Sequence, residues 1–321
     1  MTNNVTLPIF LTVIIPVYNE HEVLKNFHSR LNSTLISIHK PIEILYVDDG
    51  SQDASSEIIM QLKNHDLRIS YLALSRNFGK EIALTAGLNY AQGEFVIIMD
   101  ADLQHPPELI PQFIQVAQQG YDIVYARPIN RQIESWIKRM LTHIFYKTIN
   151  SVANIHIPSH ASDFRLLSRR AIEAIKKINE QHRFMKGLFA WVGYPQKSIH
   201  YKMDARFAGK TKWSYLKLWN FAIEGITSFT IMPLKLASYL GLITAFIAFL
   251  YGIIIISKTI LFGDSARGYP SLMVVVLFLG SIQLFSLGII GEYLGRTFNE
   301  TKNRPLYFIK NYFPNNFDVE N

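Results

Sequence analysis

Two carboxylates spaced i, i+2, Asp100 and Asp102, directly follow the apolar run Phe95-Val96-Ile97-Ile98-Met99. Acids at that spacing in a turn can bracket a divalent ion that also holds substrate phosphates. Three more polar clusters precede them, each after an apolar run: Pro16-Val17-Tyr18-Asn19-Glu20, Asp48-Asp49-Gly50-Ser51 and Ser75-Arg76-Asn77-Phe78-Gly79-Lys80-Glu81. Alone, an Asp-x-Asp is usually a turn, and Asp-Asp-Gly-Ser a turn with a helix cap. Four such clusters at four successive strand ends are hard to explain as punctuation.

The elements that would carry them alternate. Apolar runs predict strands over Leu11–Val17, Glu43–Val47, Arg68–Leu74, Glu94–Met99 and Tyr121–Tyr125. Amphipathic stretches predict helices over Glu22–Ile38, Ser55–Asn64, Lys80–Ala91 and Pro107–Gln118. Strands alternating with helices of this length imply an α/β fold with a parallel sheet covered on both faces. In open sheets of that kind ligands bind outside the carboxyl ends of the strands, where all four clusters would converge.

Further along the chain changes character. Over 133–152, Trp136, Ile137, Met140, Ile144 and Phe145 recur at helical spacing with Lys138, Arg139 and Lys147 beside or opposite them. Such a helix fits the membrane interface, and a packed surface helix would show the same pattern. A second stretch, Trp213–Met232, leads into Leu236–Ile256, 21 residues without a charge; Gly268–Gly291 is another 24. About 20 apolar residues cross the hydrocarbon core, so two membrane spans are expected. Nine Lys/Arg flank them over 206–235 and 292–312, while the connecting loop holds Lys258 and Arg267. The positive-inside rule then puts the catalytic part and both termini in the cytoplasm, in an inner or plasma membrane. Residues 7–15 lack a basic flank, since the first Lys is Lys25, and read as a strand rather than a signal peptide.

The net charge of +7 suits nucleic acid, anionic lipid or phosphorylated substrates. The membrane segments favour the last two, so no nucleic-acid partner is expected. The absence of cysteine excludes disulfides and thiolate metal sites. Almost no polar residue interrupts the spans, which argues against a small transporter, while Ser, Gly and Gln283 within them leave a homo-oligomer open.

The ordered clusters closely resemble the family 2 glycosyltransferases, whose catalytic unit is a GT-A, Rossmann-like nucleotide-sugar-binding domain. Ala161-Ser162-Asp163-Phe164-Arg165, the string Phe184–Gly193, Arg206–Trp213 and Gly291-Glu292-Tyr293-Leu294-Gly295-Arg296 are similar to the polyprenyl-phosphate branch. That branch includes dolichol-phosphate mannose synthases and bacterial bactoprenol glucosyltransferases. The resemblance covers about residues 11 to 310. It implies that Pro16, Tyr18, Asn19, Glu20, Asp48 or Asp49, and Lys80 serve the nucleotide sugar. It also implies that Asp100, Asp102 and Gln104 hold Mg2+ or Mn2+, and that Asp163 lies in the active site. Arg206, Lys210 and Lys212 would bind acceptor or donor phosphates, with Arg127, Arg131 and Arg165 on the acceptor side.

The implied reaction is inverting transfer of one sugar, glucose from UDP-glucose, to undecaprenyl phosphate. Other donors (GDP-mannose, UDP-GlcNAc or a modified arabinose) remain open, as does a non-catalytic nucleotide-sugar-binding membrane protein. The Gln-x-x-Arg-Trp motif of processive synthases is absent, since Gln181-His182-Arg183-Phe184 has neither the spacing nor the Trp. His105 stands where many bacterial relatives have an acid, and reads as a turn residue or a ligand. The division expected is a nucleotide-sugar core over 1–130, an acceptor-side part over 131–235, spans within 236–295 and a cytoplasmic tail over 296–321.

Overall fold

A computed structural model describes residues 8–129, 140, 146–147, 150–151, 157–158, 161–202, 227, 230–262 and 268–315. Its chain forms two compact units, Met1–Ala222 with Pro305–Asn321, and Ile223–Arg304. The first is built on an eight-stranded sheet in the order β7-β5-β6-β4-β1-β2-β3-β8. The strands are β1 (Leu11–Val17), β2 (Ile42–Asp48), β3 (Ile69–Leu74), β4 (Phe95–Ile98), β5 (Ile123–Pro128), β6 (Arg165–Ser168), β7 (Gln196–Tyr201) and β8 (Ile309–Phe313). The helices are α1 (Leu24–Leu35), α2 (Ser55–His65), α3 (Lys80–Tyr90), α4 (Ile110–Ala117), α5 (Arg169–Lys176) and α6 (Met185–Trp191).

β1, β2 and β3 are rich in Val, Ile, Leu and Tyr and are buried nearly throughout, as parallel strands covered on both faces must be. Glu43 is fully buried in β2 and is tolerated because Thr12 and Ser70 hydroxyls each donate to it at 2.7 Å.

Register decides where the polar clusters land. Val17 lies opposite Asp48, so β1 and β2 end together, while β4 stops earlier, at Ile98 opposite Ile14, and the chain just beyond it carries Asp100 toward the same edge. The expected all-parallel sheet is in fact mixed. Antiparallel β6 separates β4 from β5, pairing Ile98 with Arg165, and β8 closes the other edge antiparallel to β3. Because β6 runs backwards, the residues just before it, including Asp163, come to the edge where β4 delivers Asp100.

The chain from Pro305 rejoins this first unit. The Phe308 carbonyl accepts from Ser75 N–H at 2.8 Å, and Asn315 donates to Glu43 at 3.3 Å. Lys63 Nζ caps the Ile69 and Pro314 carbonyls.

The second unit is helical, comprising α7 (Met232–Phe262) and α8 (Tyr269–Thr301), which pack on each other. Both are long and apolar enough to cross a membrane. Leu242, Phe246, Leu272, Val274 and Leu284 are more than half exposed, an outward apolar surface too extensive for a water-facing protein.

Candidate active site

Three loops frame the crevice, and hydrogen bonds tie them together. Asn19 adopts φ 55°, a left-handed conformation that Asn tolerates. Its N–H donates to Ser51 Oγ at 3.0 Å, while its Oδ1 accepts from Gln52 N–H at 2.8 Å. Glu20 N–H donates to Ser55 Oγ at 3.0 Å. Tyr18 is exposed beside them.

Asp48 and Asp49 are both buried. Asp48 accepts from Ser51 N–H, Ser56 Oγ and the Tyr71 hydroxyl at 2.8, 2.6 and 2.9 Å. Asp49 accepts from Phe78 N–H at 2.7 Å and Gly79 N–H at 2.9 Å, clamping the loop that starts α3. Burial pushes the Asp49 carboxyl up, partly offset by those two donors. Both acids therefore organise the walls of the crevice. Gly50 follows them at φ +69°, and a Cβ there would stand 2.5 Å from the Arg76 carbonyl carbon.

At the centre, Lys80 Nζ lies 2.7 Å from Asp100 Oδ1 and 2.8 Å from Asp163 Oδ2. The Lys186 ammonium, from α6, is 3.4 Å from Asp163 Oδ1. Burial opposes the charge on Lys80, but Asp100 and then Asp163 hold its proton on, above the ordinary lysine range. Burial alone would raise the Asp163 carboxyl; Lys186, Lys80 and Arg165 together hold it well below the usual carboxylate range. Next to Lys80, burial pushes the Glu81 carboxyl up to about 7, with the Asp163 charge adding. Glu81 also accepts Met185 N–H at 3.2 Å, joining α3 to the start of α6.

Beyond Asp100, the chain reverses at Leu103, whose φ is 60°, and Gln104 N–H donates to Asp102 Oδ1 at 3.1 Å. His105 is buried rather than facing out of a turn. Its Nε2 is 2.6 Å from Ser162 Oγ, linking the acidic loop to the loop that carries Asp163. Burial lowers the His105 pKa, opposed by Asp100 and Asp102, so the ring is neutral at pH 7.

No cluster of three or more His, Cys, Asp or Glu suited to a metal occurs among the described residues. Two acids and an amide in one loop are oxygen donors of the kind that a Mg2+ or Mn2+ ion would take together with substrate phosphates and water. An ammonium already rests on Asp100, which marks the position as one that accepts a cation. The residues fit a divalent ion brought with a diphosphate.

The remaining expectations divide. Arg127 is exposed near the end of β5. Arg165, expected to meet phosphate, is only 3% exposed. Its guanidinium stacks 4.1 Å from the Phe189 ring centroid and donates to the Ser162 carbonyl at 2.9 Å. Its charge helps hold Asp163 ionised. Arg131, Arg206, Lys210 and Lys212 lie outside the described residues, as does most of both amphipathic stretches. Sequence reasoning missed Lys186, Glu81 and the His105–Ser162 link. Glu81 and Lys186 lie inside strings already singled out, Ser75–Glu81 and Phe184–Gly193, and that was the available signal; nothing in one dimension announces the link.

Residues 12–176 match the family model described as Glycosyl transferase family 2, and residues 232–297 match GtrB C-terminal hairpin. The chain is similar to an uncharacterized glycosyltransferase of Synechocystis sp., 48% identical over 303 residues, covering 94% of this chain and 95% of the relative. It is 44% identical over 300 residues to a prophage bactoprenol glucosyl transferase homolog of Escherichia coli, covering 94% and 98%. It is 43% identical over 301 residues to the bactoprenol glucosyl transferase of Shigella phage SfV, again covering 94% and 98%.

Proposed function

The chain belongs to glycosyl transferase family 2, and from that premise we propose that it transfers glucose from UDP-glucose to undecaprenyl phosphate, with inversion, at a membrane. The observation that carries this is the meeting of Asp100, Asp163, Lys80 and Lys186 at one sheet edge, in a chain that also holds two membrane-length helices. Near-full-length similarity to proteins named bactoprenol glucosyl transferase supports the acceptor and the sugar.

A phosphate monoester has its second pKa near about 6 and is largely dianionic at neutral pH. Its oxygen attacks the anomeric carbon directly; the bond to the nucleoside diphosphate breaks, and the electron pair leaves with the β-phosphate oxygen. The chain must then hold two anions together and stabilise the departing charge. Asp100, Asp102 and Gln104 would hold Mg2+ or Mn2+, which when bound neutralises the leaving diphosphate. The loops tied by Asn19, Asp48 and Asp49 shape the nucleoside side, with Tyr18 and Glu20 on its surface. Lys186, held by Asp163, would face the incoming phosphate, supplemented by Arg127, Arg131, Arg206, Lys210 and Lys212, while Lys80 would serve the donor's diphosphate. The catalytic unit and both termini would then be cytoplasmic, where nucleotide sugars are made.

The test is transfer of label from UDP-glucose into organic-extractable undecaprenyl phosphate, with Mg2+ or Mn2+ and with EDTA. Metal-dependent label in the lipid with a β-anomeric NMR signal supports all parts. Label from another nucleotide sugar alone would replace the donor, and a retained α-anomer would overturn direct attack.

A further inference from the structure

We propose that Lys80 is a resident counter-ion that keeps Asp100 closed to a free divalent ion, so that metal loads only together with the donor's diphosphate. This deepens the function proposed above and rests on Asp100 and Asp102 being the metal acids.

Three observations carry it. Lys80 Nζ engages both oxygens of Asp100, at 2.7 and 2.8 Å, so the edge from which the carboxylate would ligate an ion is already occupied. Second, the arrangement is lopsided. Asp163 also has Lys186 at 3.4 Å and the Arg165 charge, whereas among the described residues Lys80 is the ammonium seated on Asp100. Asp163 can therefore stay neutralised while Lys80 releases Asp100. Third, the ammonium has somewhere to go. The Lys80 side chain is 40% exposed and sits on a flexible four-carbon stem. Its backbone, by contrast, is fixed, because Asp49 grips the N–H groups of Phe78 and Gly79 immediately before it.

The consequence is an ordering device. A divalent ion arriving alone must expel an ammonium to reach Asp100, and gains no phosphate oxygens in return. One arriving with a diphosphate gains the phosphate oxygens, and the expelled ammonium, still held by Asp163, finds the same phosphates as new acceptors. Lys80 thus opposes metal before donor and assists both once the donor is present.

The experiment is Mn2+ titration of the full-length protein in detergent, read as loss of the free-ion EPR signal, with and without UDP. Without nucleotide, K80M should bind Mn2+ at least about tenfold more tightly than the wild type. That is the lower end of what one nearby opposite charge does to a carboxylate's affinity for a proton. K80R, which keeps the charge, should stay as weak as the wild type, and saturating UDP should narrow the gap between wild type and K80M. Equal Mn2+ affinity of wild type and K80M without UDP would overturn the proposal, as would K80R binding as tightly as K80M. Failure of the underlying assignment looks different: tight Mn2+ binding in K80M that survives D102N places the ion elsewhere and removes Asp102 as a ligand.

Discussion

Replacing Glu81 with Gln tests whether the charge cluster beneath the crevice is set as the structure has it. Burial and Asp163 move this carboxyl from 4.5 to about 7. At 1.36 kcal/mol per pKa unit that displacement amounts to at most about 3 kcal/mol. The sign follows from proton binding: the folded state holds the Glu81 proton more tightly than the unfolded chain. Its contribution to stability is fully present below about 4.5 and is lost as pH rises through about 7. E81Q removes that loss and retains an oxygen for the Met185 N–H. Buried His28 and His105, both lowered by burial, act in the opposite direction, adding stability as pH rises toward 6.5. They are common to both proteins and cancel in the difference. Unfolding of the full-length chain in detergent, followed at pH 5 and pH 8.5, should show the variants nearly equal at the lower pH. At the higher, E81Q should be the more stable by up to about 3 kcal/mol. A difference that does not change with pH would refute the reading that burial and the Asp163 charge raise the Glu81 carboxyl.

Gly50→Ala places a Cβ 2.5 Å from the Arg76 carbonyl carbon at φ +69°. It should cost at least about 2 kcal/mol and weaken UDP binding, read by melting temperature and calorimetry, because the displaced backbone leads to Lys80. Glu43→Gln turns a buried acceptor into a partial donor facing the Thr12 and Ser70 hydroxyls and Asn315. It should cost about 3 kcal/mol and speed amide exchange selectively over residues 309–315. Asp163→Asn should lower sugar transfer by about 100-fold or more while changing UDP affinity by about tenfold at most, since Asp163 would reach the nucleotide only through the Lys80 ammonium and not through the nucleoside loops.

The half of the sheet built by βα repetition was legible because each strand is a continuous buried apolar run and each cluster marks its end. β1 was predicted to the residue, α3 starts at Lys80 as expected, and β2, β3 and β4 differ by a residue at one or both ends. What escaped lacks such a period. β6 is Arg-Leu-Leu-Ser, four residues with no alternation to read. β8 pairs Phe313 with Tyr71 across most of the chain, so its partner is set by where the second unit returns the backbone rather than by local pattern. The same reason hid the centre of the site. Lys80 and Asp163 are 83 residues apart, and only the reversed β6 makes them neighbours. Arg165 is expected at the phosphates from the resemblance alone; as the buried first residue of β6 it lies against the Phe189 ring instead, where a planar guanidinium can stack.

Asp163 is the residue most easily mistaken for a general base, and its surroundings argue against that role. A base must take up a proton near the working pH, whereas Lys186, Lys80 and Arg165 hold this carboxyl well below the usual carboxylate range. A phosphate acceptor, already largely dianionic, has no proton to lose. What Asp163 does hold, at 2.8 and 3.4 Å, is two ammoniums, the groups that an anionic acceptor and a departing diphosphate both need. The rate should therefore show one ascending limb near about 6, from the acceptor's own second ionisation, and D163N should lower the plateau without moving that limb. A limb that vanished in D163N would return the proton to Asp163 and overturn its assignment as the holder of Lys80 and Lys186.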